Sequence, residues 1–492
     1  MVFSSTVFLF CFLPVTIIGY FIINNPIYRN TWLLLMSLVF FGWSQPGYLW
    51  IIIVSIIVNY LSAYIIAYSK EKKNRHIPTG FILFVAVAVN LLLLFYFKYL
   101  DFMIQTVNDL AHMDLELKNI VLPIGISFFT FQGMSYVIDV YRGDVPVQKN
   151  PLKVALYVVL FPQLIAGPIV RYIDIANEIN ERKHTIDDFT KGITRFVIGL
   201  GKKAIIANTM AEVVDSVWNA GVTNNTVAIA WIGSIAYSLQ IFYDFSGYSD
   251  MAIGIGRIFG FHFIENFNRP YISKSITEFW RRWHISLSTW FRDYVYIPLG
   301  GNRRHLYRNL SIVFLLTGLW HGASWHFVLW GIWNGLFMVI ERRFRKKPAD
   351  KKAEGAGSST VRAVAEQSKS GLALEILGHI YALFVINLGW VLFRADNFSL
   401  ALKYIGTMFG VGISQTPGFT IMWYLNNWVI FVFILAVLDI AGGFMGLRKA
   451  VQNSLNPALC KVAKIVVVYG ILILSIMRVM SGTYNPFIYF QF

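Results

Sequence analysis

The chain has 492 residues, of which 56% are hydrophobic and only 14% are charged. Soluble domains carry about 25% charged residues, so this composition excludes an ordinary soluble protein. Many apolar runs reach about 20 residues, the length of a membrane-spanning helix, so the sequence predicts an all-α polytopic membrane protein. The net charge of +16 fits basic cytoplasmic loops, and we find no nucleic-acid motif. Cys11 and Cys460 are far apart and indicate neither a disulfide framework nor a metal site.

Residues 1–118 are predicted to form the N-terminal membrane helices, with spans near 4–24, 31–44, 47–68 and 79–99. The first span lacks the basic start and small-residue cleavage site of a signal peptide, so we expect it to be retained. The basic loop KEKKNRH, residues 70–76, should be cytoplasmic. The acidic loop at 101–118 is then expected on the outer side.

Residues 119–340 are predicted to form the functional core. Up to about residue 300, Gly, Pro and charged residues interrupt the apolar runs, as in VLPIGISFFTFQGMSYVIDVYRG, LYVVLFPQLIAGPIVRY and YDFSGYSDMAIGIG. Broken backbone at membrane depth is tolerated only where protein or a water-filled cavity satisfies it. We therefore expect short, tilted or re-entrant helices here, followed by spans near 308–340.

The rest of the chain is predicted as a linker at 341–370 and C-terminal helices with an outer tail at 371–492. The linker contains RRFRKKPADKK and then Gly, Ser and Ala, so we expect it to be cytoplasmic and largely disordered. Spans are expected at 371–393, 423–445 and 463–480. This order places residues 481–492 outside.

The stretch TGLWHGASWHFVLWGIWNG, residues 317–335, places the ionisable His321 in an apolar, Trp-rich segment. A bare imidazole in hydrocarbon is costly, so such a residue normally faces a partner or a watery cavity. A neutral imidazole can accept a proton as a general base. We take His321 as the predicted centre of the chemistry; the alternative is a hydrogen-bonded packing histidine. For His326, between Trp325 and Phe327, an interfacial position is the simpler interpretation.

A second segment, residues 267–303, is too polar to face lipid as a span. Read as one amphipathic helix, it places apolar and polar residues on different sides: Phe279, Trp283, Leu287 and Trp290 against Arg281, His284 and Ser288. Two interpretations remain open. The helix either lies in the membrane interface with basic residues on headgroups, or it is re-entrant and lines a tunnel that His321 faces.

Several of these motifs resemble a known family. FNRPY, EFWRRWHISLSTWFRDYVYIPLGG and TGLWHGASW are similar to motifs of the membrane-bound O-acyltransferase family. The upstream stretches GISFFTFQGMSYVIDVYRG, FPQLIAGPIVRY and DFSGYSDMAIG resemble its bacterial alginate O-acetyltransferase branch, which is related to the enzyme that exports D-alanine to teichoic acids. The resemblance is dense from about residue 119 to 340, and the linker is not part of the pattern.

The resemblance implies a ring of tilted, broken and re-entrant helices around a thin core, with a cytoplasmic funnel. It places the family's membrane histidine on His321 and a second family histidine or asparagine on His284, although a structural hydrogen bond is an alternative for His284. O-acylation needs a base for the acceptor hydroxyl and donors for the developing oxyanion. We predict His321 as the base, with His284 or a Trp indole N–H as the donor.

Further site residues are predicted from their charge and position. Lys274, Arg281 and Arg282 could attract the phosphates of coenzyme A. The expected tunnel wall comprises Trp320, Trp325, Asp244 and Ser288. We expect no metal and no tightly bound cofactor, with acetyl-coenzyme A or an acetylated carrier as the donor substrate.

The C-terminal YNPFIYFQF carries four aromatic residues in its last six positions. One interpretation is an aromatic anchor at the membrane interface. The other is that the tail enters the outer mouth and Tyr489 carries the acyl group in transit, because this tail resembles the terminal motif of a small protein of the teichoic-acid D-alanylation system.

The resemblance thus implies a multi-pass O-acetyltransferase of the bacterial inner membrane, serving an exported polysaccharide such as alginate. Membrane lipids and periplasmic polysaccharide-modifying proteins are the expected partners, since the chain has no large extramembrane domain. Two alternatives remain open. One is a transporter or flippase, which broken helices would suit; the other is an O-acyltransferase with a lipid acceptor.

Overall fold

The computed structural model describes residues 1–72, 78–165, 167–344, 361–413, 418–454, 456–482 and 488. Within these residues all regular secondary structure is helical, as predicted. The α-helices are α1 (Leu13–Ile22), α2 (Pro26–Ser44), α3 (Leu49–Glu71), α4 (Thr79–Leu94), α5 (Leu100–Ala111), α6 (Ile126–Arg142), α7 (Pro151–Val159), α8 (Phe161–Leu164), α9 (Tyr172–Asn180), α10 (Ile186–Gly201), α11 (Asn208–Asn219), α12 (Val227–Ile258), α13 (Ile276–Arg282), α14 (Ile285–Phe291), α15 (Leu306–His321), α16 (Trp325–Phe344), α17 (Val361–Arg394), α18 (Phe398–Met408), α19 (Ile421–Tyr424), α20 (Asn427–Ala441), α21 (Gly443–Ser454) and α22 (Pro457–Ser481). Short π-helical segments lie at Phe8–Phe12, Phe95–Tyr99, Lys202–Ala207 and Arg292–Tyr296, and 3₁₀ turns at Pro46–Tyr48, Val222–Asn224 and Pro270–Ile272.

Five helical stretches among the described residues are long and apolar enough to cross a membrane: Pro46–Glu71, Thr79–Ala111, Val227–Ile258, Leu372–Arg394 and Pro457–Ser481. Four of them match predicted spans. The expected span at 423–445 is instead a pair of helices, α20 and α21, that meet at an angle of 71°. Helix α17 begins at Val361, inside the predicted linker, whereas residues 345–360 lie outside the described residues. The chain is therefore a polytopic helical membrane protein.

The structure corrects the expectation that YDFSGYSDMAIGIG interrupts a helix. Residues 243–256 lie inside the continuous 32-residue helix α12. The glycines serve helix packing instead. A Cβ on Gly247 would lie 2.8 Å from the carbonyl oxygen of Gly199, and one on Gly254 would lie 2.7 Å from that of Gly192. Small residues allow membrane helices to approach closely, so α10 and α12 pack backbone to backbone.

The prediction of a single amphipathic helix within 267–303 is also wrong. The structure has two seven-residue helices, α13 and α14, separated by Trp283 and His284. Phe279, Trp280 and His284 are all buried, so the segment belongs to the protein core rather than to a headgroup-facing surface. The reason is that His284 adopts a left-handed conformation, φ 44° and ψ 55°, which ends one helix and starts the next.

The packing groups the chain into two compact units. One comprises Met1–Thr209, Gln240–Glu265 and Val451–Phe492; the other comprises Met210–Leu239 and Asn266–Ala450. We call them the first and the second unit. In the first, α3 packs on α4 and α6, and α10 packs on α22; in the second, α16 packs on α15 and α17.

The hairpin of α15 and α16 holds His321 at its turn, and glycines let the two helices touch. A Cβ on Gly318 would clash with the carbonyl oxygen of Phe327, and one on Gly331 with that of Phe314. Without side chains at these points, the helices pack at backbone distance. This contact fixes the end of α15, and hence His321, against α16.

Replacing Gly331 with alanine is expected to destabilise the protein by about 1–3 kcal/mol, because the added methyl group overpacks a backbone contact. The loss should appear as a lower thermal unfolding midpoint in detergent, followed by Trp fluorescence. Gly470→Ala in α22 is the matched control, since a Cβ there meets nothing within 4 Å. Equal midpoints for the two variants would contradict close packing at Gly331.

Candidate active site

His321 is the last residue of α15 and is only 6% exposed. Three aromatic rings enclose it nearly edge-on, and together we call them the aromatic cage. The centroids of Trp320 and Trp330 lie 5.0 Å from the imidazole, and that of Phe393 lies 5.3 Å away. The cage therefore joins α15, α16 and α17 around one titratable ring.

His284 is fully buried at the corner between α13 and α14. The ring of Trp320 lies 5.7 Å from His284 and 5.0 Å from His321, so a single indole contacts both imidazoles. The two predicted catalytic histidines, 37 positions apart in the sequence, are thus brought together with Trp320 in the second unit.

Asn266 orients the His284 ring. Asn266 Oδ1 accepts two hydrogen bonds from Ser286, one from the main-chain N–H at 3.2 Å and one from the hydroxyl at 2.8 Å. The same oxygen lies 3.1 Å from His284 Nδ1. A main-chain N–H can only donate, so the Asn266 atom is an oxygen and His284 Nδ1 must carry its proton. In the neutral ring, Nε2 is therefore an acceptor. Donation from Nε2 to an oxyanion would require the protonated form of His284.

A cavity of about 450 Å³ lies beside this pair in the second unit. Its lining includes the predicted residues Arg281 and Ser288, and also Arg292 and Arg342. It extends to Thr317, which is one helical turn before His321, and to Ile285, which follows His284. Neither imidazole belongs to the lining. The cavity therefore lies close to both histidines, and three arginine side chains line its wall.

The other two predicted donor-binding residues lie elsewhere. Arg282 pairs with Glu278 at 2.9 Å and donates to the carbonyl oxygen of Asn268 at 3.2 Å. Lys274 pairs with Glu375 at 2.9 Å and lines a separate cavity of about 310 Å³. Of the three, only Arg281 lines the larger cavity.

The structure places each of the remaining predicted residues in a different environment. Trp325 is 55% exposed at the start of α16, away from the enclosed position expected for a tunnel wall. Asp244 belongs to the first unit, where it pairs with Lys203. Tyr489 lies outside the described residues. His326 is half-buried, and its Nδ1 lies 2.7 Å from the hydroxyl of Ser324.

The structure adds residues that the sequence analysis did not assign to the site: Asn266, Phe393, Arg292 and Arg342. Asn266 directly precedes the FNRPY motif, so its position next to a motif was the available signal. Phe393 lies 72 positions after His321 and carries no comparable signal, because an isolated aromatic residue at the end of a span is common.

These features define a multi-pass helical membrane protein with two buried imidazoles beside an arginine-lined cavity. The chain belongs to the MBOAT, membrane-bound O-acyltransferase family, whose model matches residues 93–349. This range contains the predicted core, both histidines and the cavity. The chain is therefore an O-acyltransferase, and the transporter alternative is dropped.

Individual relatives extend the similarity over the whole chain. It is 39% identical to a probable alginate O-acetylase AlgI of Pseudomonas putida, with 100% of both chains covered. It is 35% identical to a peptidoglycan O-acetyltransferase of Helicobacter pylori, over 84% of this chain and 81% of the relative. A teichoic acid D-alanyltransferase of Bacillus subtilis is 29% identical, over 56% of this chain and 71% of the relative. The three names describe acyl transfer involving alginate, peptidoglycan and teichoic acid.

Proposed function

We propose that this protein takes acetyl groups from a cytosolic thioester and passes them to the periplasmic side of the bacterial inner membrane, for O-acetylation of an exported polysaccharide such as alginate. The observation that carries the proposal is the arginine-lined cavity that ends one helical turn before the caged His321. Full-length similarity to an alginate O-acetylase supports the acetyl group and the polymer. The donor is acetyl-coenzyme A or an acetylated carrier.

The basic end of the cavity supports a cytosolic donor. Helix α16 ends in Arg342 and Arg343, and basic residues concentrate at the cytoplasmic ends of spans. Arg281, Arg292 and Arg342 would bind the donor phosphates, so that the thioester reaches inward toward Thr317.

The chemistry follows from the roles of the two rings. The neutral His321 imidazole takes the proton of the acceptor hydroxyl as its oxygen attacks the thioester carbonyl carbon. The C–S bond then breaks, and the proton passes to the leaving thiolate. The indole N–H of Trp320, beside both imidazoles, is the proposed donor to the oxyanion, because the neutral His284 offers only an acceptor at Nε2.

Transfer to the outer side needs an acceptor, and we propose the Tyr489 hydroxyl as a relay. Loop charges place the tail outside, and the neighbouring residue Ile488 is buried. Periplasmic polysaccharide-modifying proteins would then receive the acetyl group.

The test is an assay of the purified protein with radiolabelled acetyl-coenzyme A, in which thiol release and acetyl ester formation are followed together. We expect both products. Arg281→Gln should raise KM for the donor about tenfold, the cost of a lost charge-assisted hydrogen bond. Arg282→Gln is the matched control, because its guanidinium pairs with Glu278 outside the cavity lining. Donor binding without thiol release would refute the proposal.

A further inference from the structure

Two buried charged side chains form an ion pair in the first unit. Lys203 Nζ lies 2.6 Å from Asp244 Oδ1, and both side chains are only 2% exposed. Lys203 belongs to the π-helical segment Lys202–Ala207, and Asp244 to α12. Charges buried within a membrane protein are costly unless paired, and they commonly mark functional positions. We therefore expect the Lys203–Asp244 pair to have a function in addition to connecting two helices.

The second oxygen of the Asp244 carboxylate accepts a hydrogen bond from a residue near the C-terminus. The main-chain N–H of Ile488 donates to Asp244 Oδ2 at 3.0 Å, and Ile488 is only 5% exposed. Since a carboxylate offers about four acceptor positions, Lys203 leaves room for this peptide group. A hydrogen bond to an ionised acceptor is roughly twice as strong as a neutral one. The contact joins residues 244 positions apart.

The helix before the tail is held close to the same place. Helix α22 packs on α10, where a Cβ on Gly201 would lie 2.6 Å from Ile471. Near the end of α22, Arg478 donates to the hydroxyl of Thr209 at 3.4 Å. Thr209 follows Lys203 by six residues in a continuous helical run, a rise of about 9 Å.

We propose that the Lys203–Asp244 pair is a binding site for the protein's own C-terminal segment, recognised through the main-chain N–H of Ile488. Lys203 orients the Asp244 carboxylate, and Asp244 accepts the peptide N–H. Anchoring at Ile488 is independent of which acceptor receives the acetyl group. Its consequence, a fixed attachment point next to Tyr489, rests on the proposed function. Asp244 is then a positioning residue for the tail and not part of the tunnel wall.

A cysteine reporter at the anchored residue tests this. Ile488→Cys, in a background with Cys11→Ser and Cys460→Ser, keeps the N–H and is expected to react slowly with a maleimide in the folded full-length protein. Adding Lys203→Met with Asp244→Leu removes the acceptor without leaving a lone buried charge. The labelling rate should then increase at least about tenfold, because the loss of one charge-assisted hydrogen bond changes an equilibrium constant by about this factor.

The matched control is Lys202→Met with Asp250→Leu, which removes the other ion-paired carboxylate of α12; Arg195, the second partner of Asp250, keeps its pair with Glu265. It should leave the labelling rate unchanged. The inference is overturned if the Lys203 and Asp244 variant labels as slowly as the control, or if the parent reporter already labels at the rate of the unfolded chain.

A second measurement avoids changing the buried pair. Ile488→Pro removes the N–H donor, whereas Ile488→Ala shortens the side chain and retains the N–H. Hydrogen exchange of the C-terminal peptide should be at least about tenfold faster in the proline variant; equal protection in both would overturn the inference. Neither measurement uses an acetyl donor, so a failure here is distinct from a failure of the proposed function.

Discussion

Replacement of His321 with alanine is expected to reduce acetyl transfer about 10²–10⁴-fold, the range that general-base catalysis typically contributes. The ring is caged by Trp320, Trp330 and Phe393, and the arginine-lined cavity reaches Thr317, one helical turn before it. The measurement is the rate of thiol release from acetyl-coenzyme A by purified protein, with thermal unfolding as the check that the variant is folded.

His326→Ala is the matched control for this prediction. His326 lies five residues after His321, on α16, and its ring contacts Ser324 and Phe327. We expect transfer close to that of the parent protein. A His321→Ala variant that is folded and retains more than about one tenth of the activity would remove His321 from the proton transfer, since loss of a general base costs more than this.

Replacement of Asn266 with alanine is expected to reduce transfer about 10- to 100-fold, by analogy with the loss of residues that orient metal-ligating imidazoles. The change removes the acceptor that holds the Nδ1 proton of His284 and leaves the ring free to rotate or change tautomer. The measurement is kcat and KM for acetyl-coenzyme A. We expect kcat to fall and KM to stay nearly constant, because Asn266 does not line the cavity.

Ser286→Ala tests whether the effect of Asn266→Ala comes from the orientation of the His284 ring or from the stability of the turn. It removes a donor to Asn266 and a 3.4 Å contact with His284 Nδ1, and it preserves the shorter contact between Asn266 and His284. We expect less than about a threefold change in kcat, within the value of a single neutral hydrogen bond. If Ser286→Ala and Asn266→Ala lowered kcat equally, the effect would be one of local folding, and Asn266 would not be a positioning residue.

The sequence predicted the membrane class and four of the long spans, because span length and apolar content are local properties set by bilayer thickness. The prediction from sequence was wrong where a glycine is compatible with two different structures. In YDFSGYSDMAIGIG, glycine could break a helix or let two helices touch, and only the partner helix α10 distinguishes these. The corner at His284 was missed for a related reason, since a helical side-chain spacing does not reveal a left-handed residue within it.

The sequence by itself determined that His321 is an ionisable residue in an apolar segment, and that His284 follows a cluster of aromatic and basic residues. Tertiary structure alone decided which partners they have. Asn266, Phe393 and Trp320 meet the imidazoles because helices that are distant in sequence pack together. The pairing of Asp244 with Lys203 and Ile488 likewise depends on three elements meeting. A buried polar group must find its partner somewhere in the fold, but sequence order does not specify where.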